Sequence, residues 1–235
     1  MTTSKEKRRP GGEITKRPSK INVIADTSGS MDENGKIQEL NNCMREAVPY
    51  LKKLDEDTPG AEIQISVMTF DESPKWVVQN EPIKDFVWKD LKANPNGETN
   101  IGQAFSMLAM EMSSNMPERG YPPLIVVITD GMATDSYKKG LDEFLDTKWG
   151  QKSVRQAIAI GKDADISVLN KFINNSEIKP IKANNPEQLA KAIRFVSTVA
   201  LKKVSTPGVG IDAHPESIMD NTPDFYPPTT EDDVW

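Results

Sequence analysis

Histidine is almost absent from this chain of 235 residues. His214 is the only one, and it stands in a stretch without apolar periodicity. A Ser-His or Cys-His nucleophile pair therefore cannot form in the body of the protein. Cysteine is equally scarce. Cys43 alone excludes an internal disulfide and makes a reducing compartment the default. It lies in a helical pattern beside Met44 and reads as a small buried apolar group. No apolar run approaches the roughly 20 residues that span a bilayer. The longest, Leu124 to Ile128, is strand-sized. No hydrophobic segment follows the basic N-terminus, so a secretory signal is not expected and the cytoplasm is the default location. Neither Gly-x-Gly-x-x-Gly nor Gly-x-x-x-x-Gly-Lys-Ser/Thr occurs, which leaves nucleotide binding of those kinds unsupported.

What is present is charge, unevenly spread. The formal net charge is −6. Residues 1–20 carry Lys5, Lys7, Arg8, Arg9, Lys16, Arg17 and Lys20 against Glu6 and Glu13. Residues 204–235 hold no Lys or Arg but seven acids, among them Glu231, Asp232 and Asp233, punctuated by Pro207, Pro215, Pro223, Pro227 and Pro228. The expected organisation is a basic disordered arm over 1–19, one domain over 20–203 and an acidic, Pro-rich tail over 204–235. The middle is moderately acidic, which argues against a nucleic-acid-binding face. Nor does anything in it suggest a membrane partner.

Within the domain, strand and helix patterns alternate. Ile21–Ala25 is a short apolar strand. Ile37, Leu40, Met44, Val48, Leu51 and Leu54 recur at helical spacing, with Pro49 as a possible kink. Residues 63–70 alternate as a strand, and Trp76-Val77-Val78 makes a short edge strand. Helices are expected over 101–112, about 135–147, 165–173 and 186–201, and strands over 124–128, 154–160 and 178–181. The Met107, Met110 and Met112 group reads as core filling. Leu124–Ile128 does not alternate, which suits a strand covered on both faces. The fold class is therefore α/β: a doubly wound, mostly parallel sheet with helices on both faces and one short antiparallel edge strand. In such folds ligands sit beyond the carboxyl ends of the strands.

Three loops at such ends carry oxygen donors. The first strand runs into Asp26-Thr27-Ser28-Gly29-Ser30, which offers a carboxylate and two hydroxyls at alternate positions around a glycine. The central strand ends in Thr129-Asp130-Gly131. Thr99, in Gly97-Glu98-Thr99-Asn100, opens a helix. Oxygen donors alone suit a hard divalent cation, magnesium first and manganese or calcium as alternatives, whereas zinc and copper favour His and Cys. Two carboxylates brought together would repel without a cation between them. Each piece alone has an ordinary structural reading, as a turn or a helix cap. Asp71, Asn100 and Asp135 read either as support for the metal loops or as caps.

Asp26-x-Ser28-x-Ser30, then Thr99, then Asp130-Gly131, resembles the metal-ion-dependent adhesion site of von Willebrand factor A domains. The resemblance covers about Ile21 to Leu201. Within that family, Asp26-Thr27-Ser28-Gly29-Ser30-Met31, Val67-Met68-Thr69-Phe70-Asp71, Thr129-Asp130-Gly131-x-x-Thr134-Asp135 and Lys148-Trp149-Gly150 look closest to the bacterial, tellurite-resistance-associated TerY-like group. The resemblance implies that Ser28, Ser30 and Thr99 contact the metal, that Asp26 and Asp130 act through water or the serines, and that one position stays open for a partner's Asp or Glu. It also implies a stress-response or defence setting beside a Ser/Thr kinase-like protein and a PP2C-type phosphatase. The expected role is an interaction module rather than an enzyme. The alternative is a metal-dependent phosphatase-like enzyme using Asp26, although that chemistry usually wants a second acid where Ser28 stands.

Overall fold

The computed structural model describes residues 16–205, apart from the side chains of Arg194 and of residues 197–205. Most of the basic arm and of the acidic tail thus lies outside the described residues.

The strands are β1 (Arg17–Asp26), β2 (Ala61–Phe70), β3 (Lys75–Pro82), β4 (Leu124–Thr129), β5 (Val154–Ile160) and β6 (Ile181–Ala183). They form one sheet in the order β3-β2-β1-β4-β5-β6. Every pairing is parallel except β2 with β3, which is antiparallel at the edge. The helices are α1 (Lys36–Asp57), α2 (Ile101–Ser114), α3 (Tyr137–Asp146), α4 (Lys148–Lys152), α5 (Ile166–Ile173) and α6 (Pro186–Ser205). Strand alternation sends Ile21, Val23 and Ala25 into a core with α1 and α6. Ile24 goes to the opposite core, where α2, α3 and α5 contribute Phe105, Phe144 and Phe172. The α/β, doubly wound architecture expected from the sequence is the one found.

The details depart from the sequence reading where pairing or packing overrides local pattern. Strand β1 starts at Arg17, ahead of its apolar run, because Arg17–Ser19 pair with Ala61–Ile63. Strand β6 occupies 181–183 rather than 178–181. Pro180 has no N–H to give a ladder, so pairing with β5 begins at Ile181. The helix expected over 135–147 ends at Asp146, and Thr147 turns the chain. The Thr147 hydroxyl donates to the Phe144 carbonyl and accepts from the Gly150 N–H, which caps α4. Helix α1 passes through Pro49 without a break. Met112 is buried, but Met110 is 61% exposed, so only part of that methionine group fills the core.

Helix α2 matters most for the site, because Thr99 precedes it. Its N-terminal N–H groups are not capped by their own N-cap residue, Asn100. Instead Asp135 accepts from the Gly102 and Gln103 N–H groups at 3.0 and 2.9 Å. A carboxylate there also complements the helix dipole. This is possible because α2 and α3 cross with glycines in contact. A side chain on Gly102 would lie 2.5 Å from the Tyr137 Cα, and one on Gly140 would run into the Gly102 carbonyl oxygen. Gly140→Ala therefore sets helix propensity, which favours Ala by about 1 kcal/mol, against a backbone clash. We expect the clash to win, with a net loss of about 2 kcal/mol or more in urea unfolding. Gly60→Ala, which would meet nothing within 4 Å, should be close to neutral.

Candidate metal centre

The sheet order reverses at β1. From β1 the chain crosses to β2 on one side, whereas β4 pairs on the other. The loops leaving β1 and β4 diverge, and a crevice opens between them at the carboxyl edge. Asp26 ends β1, and Asp130 directly follows β4.

Asp26 is fully buried. One oxygen accepts from the Ser28 backbone N–H at 2.8 Å, and the other from the Thr129 hydroxyl at 2.5 Å. Burial pushes its carboxyl up to about 6, while the hydrogen bonds from Ser28 and Thr129 pull it partly back and nearby Asp130 adds a small upward push. A carboxylate held this way is short of positive charge. Ser28 and Ser30 hydroxyls lie 3.2 Å apart, and Ser30 donates to Asp130 Oδ1 at 2.7 Å. A methyl group on Gly131 would sit 3.0 Å from Thr99 Oγ1 and 3.5 Å from Ser30 Oγ. That puts the Thr99 and Ser30 hydroxyls both next to Gly131. The three loops and all five oxygen-bearing residues named from the sequence therefore converge.

The loops are held from behind. Gly29 donates to the Gly97 carbonyl, and Asn94 donates to the Thr27 carbonyl. A side chain on Gly29 would come within 2.7 Å of the Pro95 carbonyl oxygen. Thr134 accepts from the Thr99 N–H and donates to Asn100 Oδ1, both at 2.9 Å. Asp71 accepts from the Ser73 N–H within its own turn, at 3.3 Å. Asp135, Asn100 and Asp71 thus cap or brace loops. Thr99 itself is not the N-cap of α2.

The sequence reading passed over Lys36. It opens α1 and is buried, and its ammonium donates to Asp130 Oδ2 at 2.7 Å. A further contact reaches the Ser30 carbonyl at 3.4 Å. The only sequence signal for it was a lysine at the first helical position, where the helix dipole disfavours a cation.

Ser30 and Gly131 are half-buried, and Met132 beside them is 65% exposed, so the cluster faces solvent there. Among the described residues no group of three or more His, Cys, Asp and Glu is placed to hold a metal. The donor set is instead two carboxylates and three hydroxyls. That chemistry fits a hard, oxygen-seeking divalent cation. No helix among the described residues is long and apolar enough to cross a membrane.

Residues 21–132 match the family model described as von Willebrand factor type A domain. Solved structures share the fold. The ArnB paralog VWA2 from Sulfolobus acidocaldarius has 19% identity and a TM-score of 0.55, with 74% of this chain and 44% of that one covered. The von Willebrand factor type A protein from Catenulispora acidiphila has 16% identity and a TM-score of 0.58, with 79% and 43% covered. Proximal thread matrix protein 1 from the mussel byssus, whose MIDAS motif is occupied by zinc, has 17% identity and a TM-score of 0.61, with 79% and 48% covered. At these identities the likeness is one of fold, and this chain spans less than half the length of each. No curated protein matches the sequence. Over residues 21–132 the chain is thus similar to the von Willebrand factor type A domain, and it shares the fold of solved structures of that kind.

Proposed function

We propose that this domain binds one divalent cation through Ser28, Ser30 and Thr99, with Asp26 and Asp130 behind them, and uses it to hold an Asp or Glu of a protein partner. The observation that carries this reading is the charge state of the cluster. A buried carboxylate raised by burial sits with a second carboxylate at the ends of adjacent strands, and the side chains beside them are the Ser28 and Ser30 hydroxyls rather than further acids. A cation bound there would meet uncharged hydroxyls as its direct ligands and would attract one more acid. Magnesium is the first choice on donor chemistry, with manganese and calcium next. Zinc joins the screen because it occupies the site of the mussel byssus protein.

We read the domain as non-catalytic. Both Asp26 oxygens accept hydrogen bonds from Ser28 and Thr129, and the residue is fully buried. That arrangement disfavours the nucleophile role which a phosphatase-like alternative needs. The alternative gains support only if the purified chain hydrolyses a phosphomonoester in a way that Asp26→Ala abolishes. The setting we favour is the TerY-like one: a cytoplasmic component of a tellurite-resistance or stress-response cluster, with a Ser/Thr kinase-like protein and a PP2C-type phosphatase as partners. In this reading the arm over 1–19 and the tail over 204–235 flank the domain.

Co-purification from a cell extract, repeated with magnesium and with chelator, tests the interaction. Chelator should release the partner, and Asp26→Ala or Ser28→Ala should lower its affinity at least about tenfold, the scale of losing one coordinating group. Retention in every condition would sink the proposal.

The Asp26 carboxyl also sets a pH dependence. A proton competes with the cation for it, so metal affinity measured by calorimetry should fall as pH drops below about 6, by up to about tenfold per pH unit for one proton. Stability should move the opposite way when metal is withheld. The raised carboxyl binds its proton more tightly folded than unfolded, so its contribution is fully present below its unfolded value of 3.8 and is lost as pH rises through about 6. Saturating metal should reverse that decline.

A further inference from the structure

The metal site contains a cation of its own. Lys36 and Asp130 form an ion pair with both side chains buried, at 2.7 Å. The position is doubly unfavourable for an ammonium. Burial removes its water, and the first turn of α1 presents the positive end of a helix dipole. Among the described residues, the Asp130 carboxylate and the Ser30 carbonyl compensate it. Asp130 is thereby shared, with Oδ2 on Lys36 and Oδ1 accepting from Ser30. The lysine stem lies against the end of β5, where a side chain on Gly161 would meet Lys36 Cε at 3.9 Å.

We propose that Lys36 is a tethered counter-ion that, through its ion pair with Asp130, under-neutralises the site, weakening the intrinsic hold on the cation while leaving the loaded site a net positive charge for a partner's carboxylate. The inference rests on the metal-site reading above. Asp26 and Asp130 would together neutralise a divalent cation. With Lys36 paired to one of them, the loaded site keeps one unit of positive charge. A single acid from a partner closes the balance. Lys36 is a positioning residue here and touches no bound metal in this account.

The experiment is calorimetric titration of the full chain with Mn2+ alone, together with thermal unfolding in chelator and in Mn2+, for wild type, Lys36→Met and Lys36→Arg. Removing a neighbouring unit charge should tighten Mn2+ binding by Lys36→Met about fivefold to tenfold. The same variant should unfold earlier in chelator and gain more from Mn2+ than wild type does. Lys36→Arg keeps the charge and should bind within about twofold of wild type. The proposal is overturned if Lys36→Met binds Mn2+ no more tightly than wild type, or if Lys36→Arg tightens binding as much as Lys36→Met. A Lys36→Met chain that stays unfolded with and without Mn2+ would make the lysine merely structural and overturn it too. Folding only with Mn2+ would support it. If wild type binds Mn2+ and Lys36→Met is unchanged, this inference fails alone. If neither binds, the metal-site reading fails with it.

Discussion

Two carboxylates at the ends of neighbouring parallel strands have to be neutralised, and much of the upper half of the domain is arranged to do so. Strand pairing brings Asp26 level with Thr129 and leaves Asp130 one residue beyond, because β4 pairs with β1 from Ile21↔Leu124 to Ala25↔Ile128. Burial then makes negative charge there costly, and the Asp26 carboxyl rises accordingly. The answer is distributed. Thr129 and a backbone N–H serve Asp26, and Ser30 and Lys36 serve Asp130. These groups reduce the deficit of positive charge without removing it, which leaves room for a cation.

Keeping the oxygen donors in place takes a second layer that has nothing to do with charge. The connection between β3 and α2 buries Ile83, Phe86, Trp88 and Leu91 on the α1 side. A single buried amide in α1 fixes it. Asn41 Oδ1 accepts from the Trp88 indole N–H at 3.0 Å and the Leu91 N–H at 2.8 Å, and its Nδ2 donates to the Leu91 carbonyl at 2.9 Å. With the amide's hydrogen-bonding capacity used this fully, the segment is anchored like secondary structure although it has none. It then delivers Asn94 and Gly97 onto the Asp26 loop. On the other side, the glycine contact between α2 and α3 brings Asp135 to the start of α2 and so fixes Thr99.

Much of this was legible from the residues alone. The unbroken apolar run Leu124–Ile128 marked the central strand, and the strand-ending Asp26-x-Ser28-x-Ser30 and Asp130-Gly131 marked the crevice. Those signals are local, and periodicity reports them. The connection from 83 to 98 was not legible, because its order comes from Asn41, which is distant in sequence. Lys36 was hidden for a related reason. A lysine beginning a helix looks like a solvated charge until tertiary packing places Asp130 against it. The slip at β6 has a simpler origin: Ile178 and Ile181 are both apolar, and only strand pairing shows which of them joins the ladder.

The domain holds a second buried ion pair, and the comparison shows why the two differ in consequence. Lys20 and Glu111 meet at 3.3 Å with both side chains buried, below the sheet's midpoint and away from the metal loops. There further hydrogen bonds support the pair. Lys20 also donates to the Asn115 carbonyl at 2.7 Å, and Glu111 accepts from Asn80 and Asn115 at 3.2 and 2.7 Å. Side-chain amides flank the carboxylate, and breaking such a pair leaves a stranded charge. Lys36 and Asp130 are bordered instead by hydroxyls, which can donate, accept or ligate. A hydroxyl can turn its proton away from an arriving cation, whereas an amide N–H cannot. The same kind of ion pair is therefore a strut at one end of the sheet and, in the function we propose, part of an open ligand site at the other.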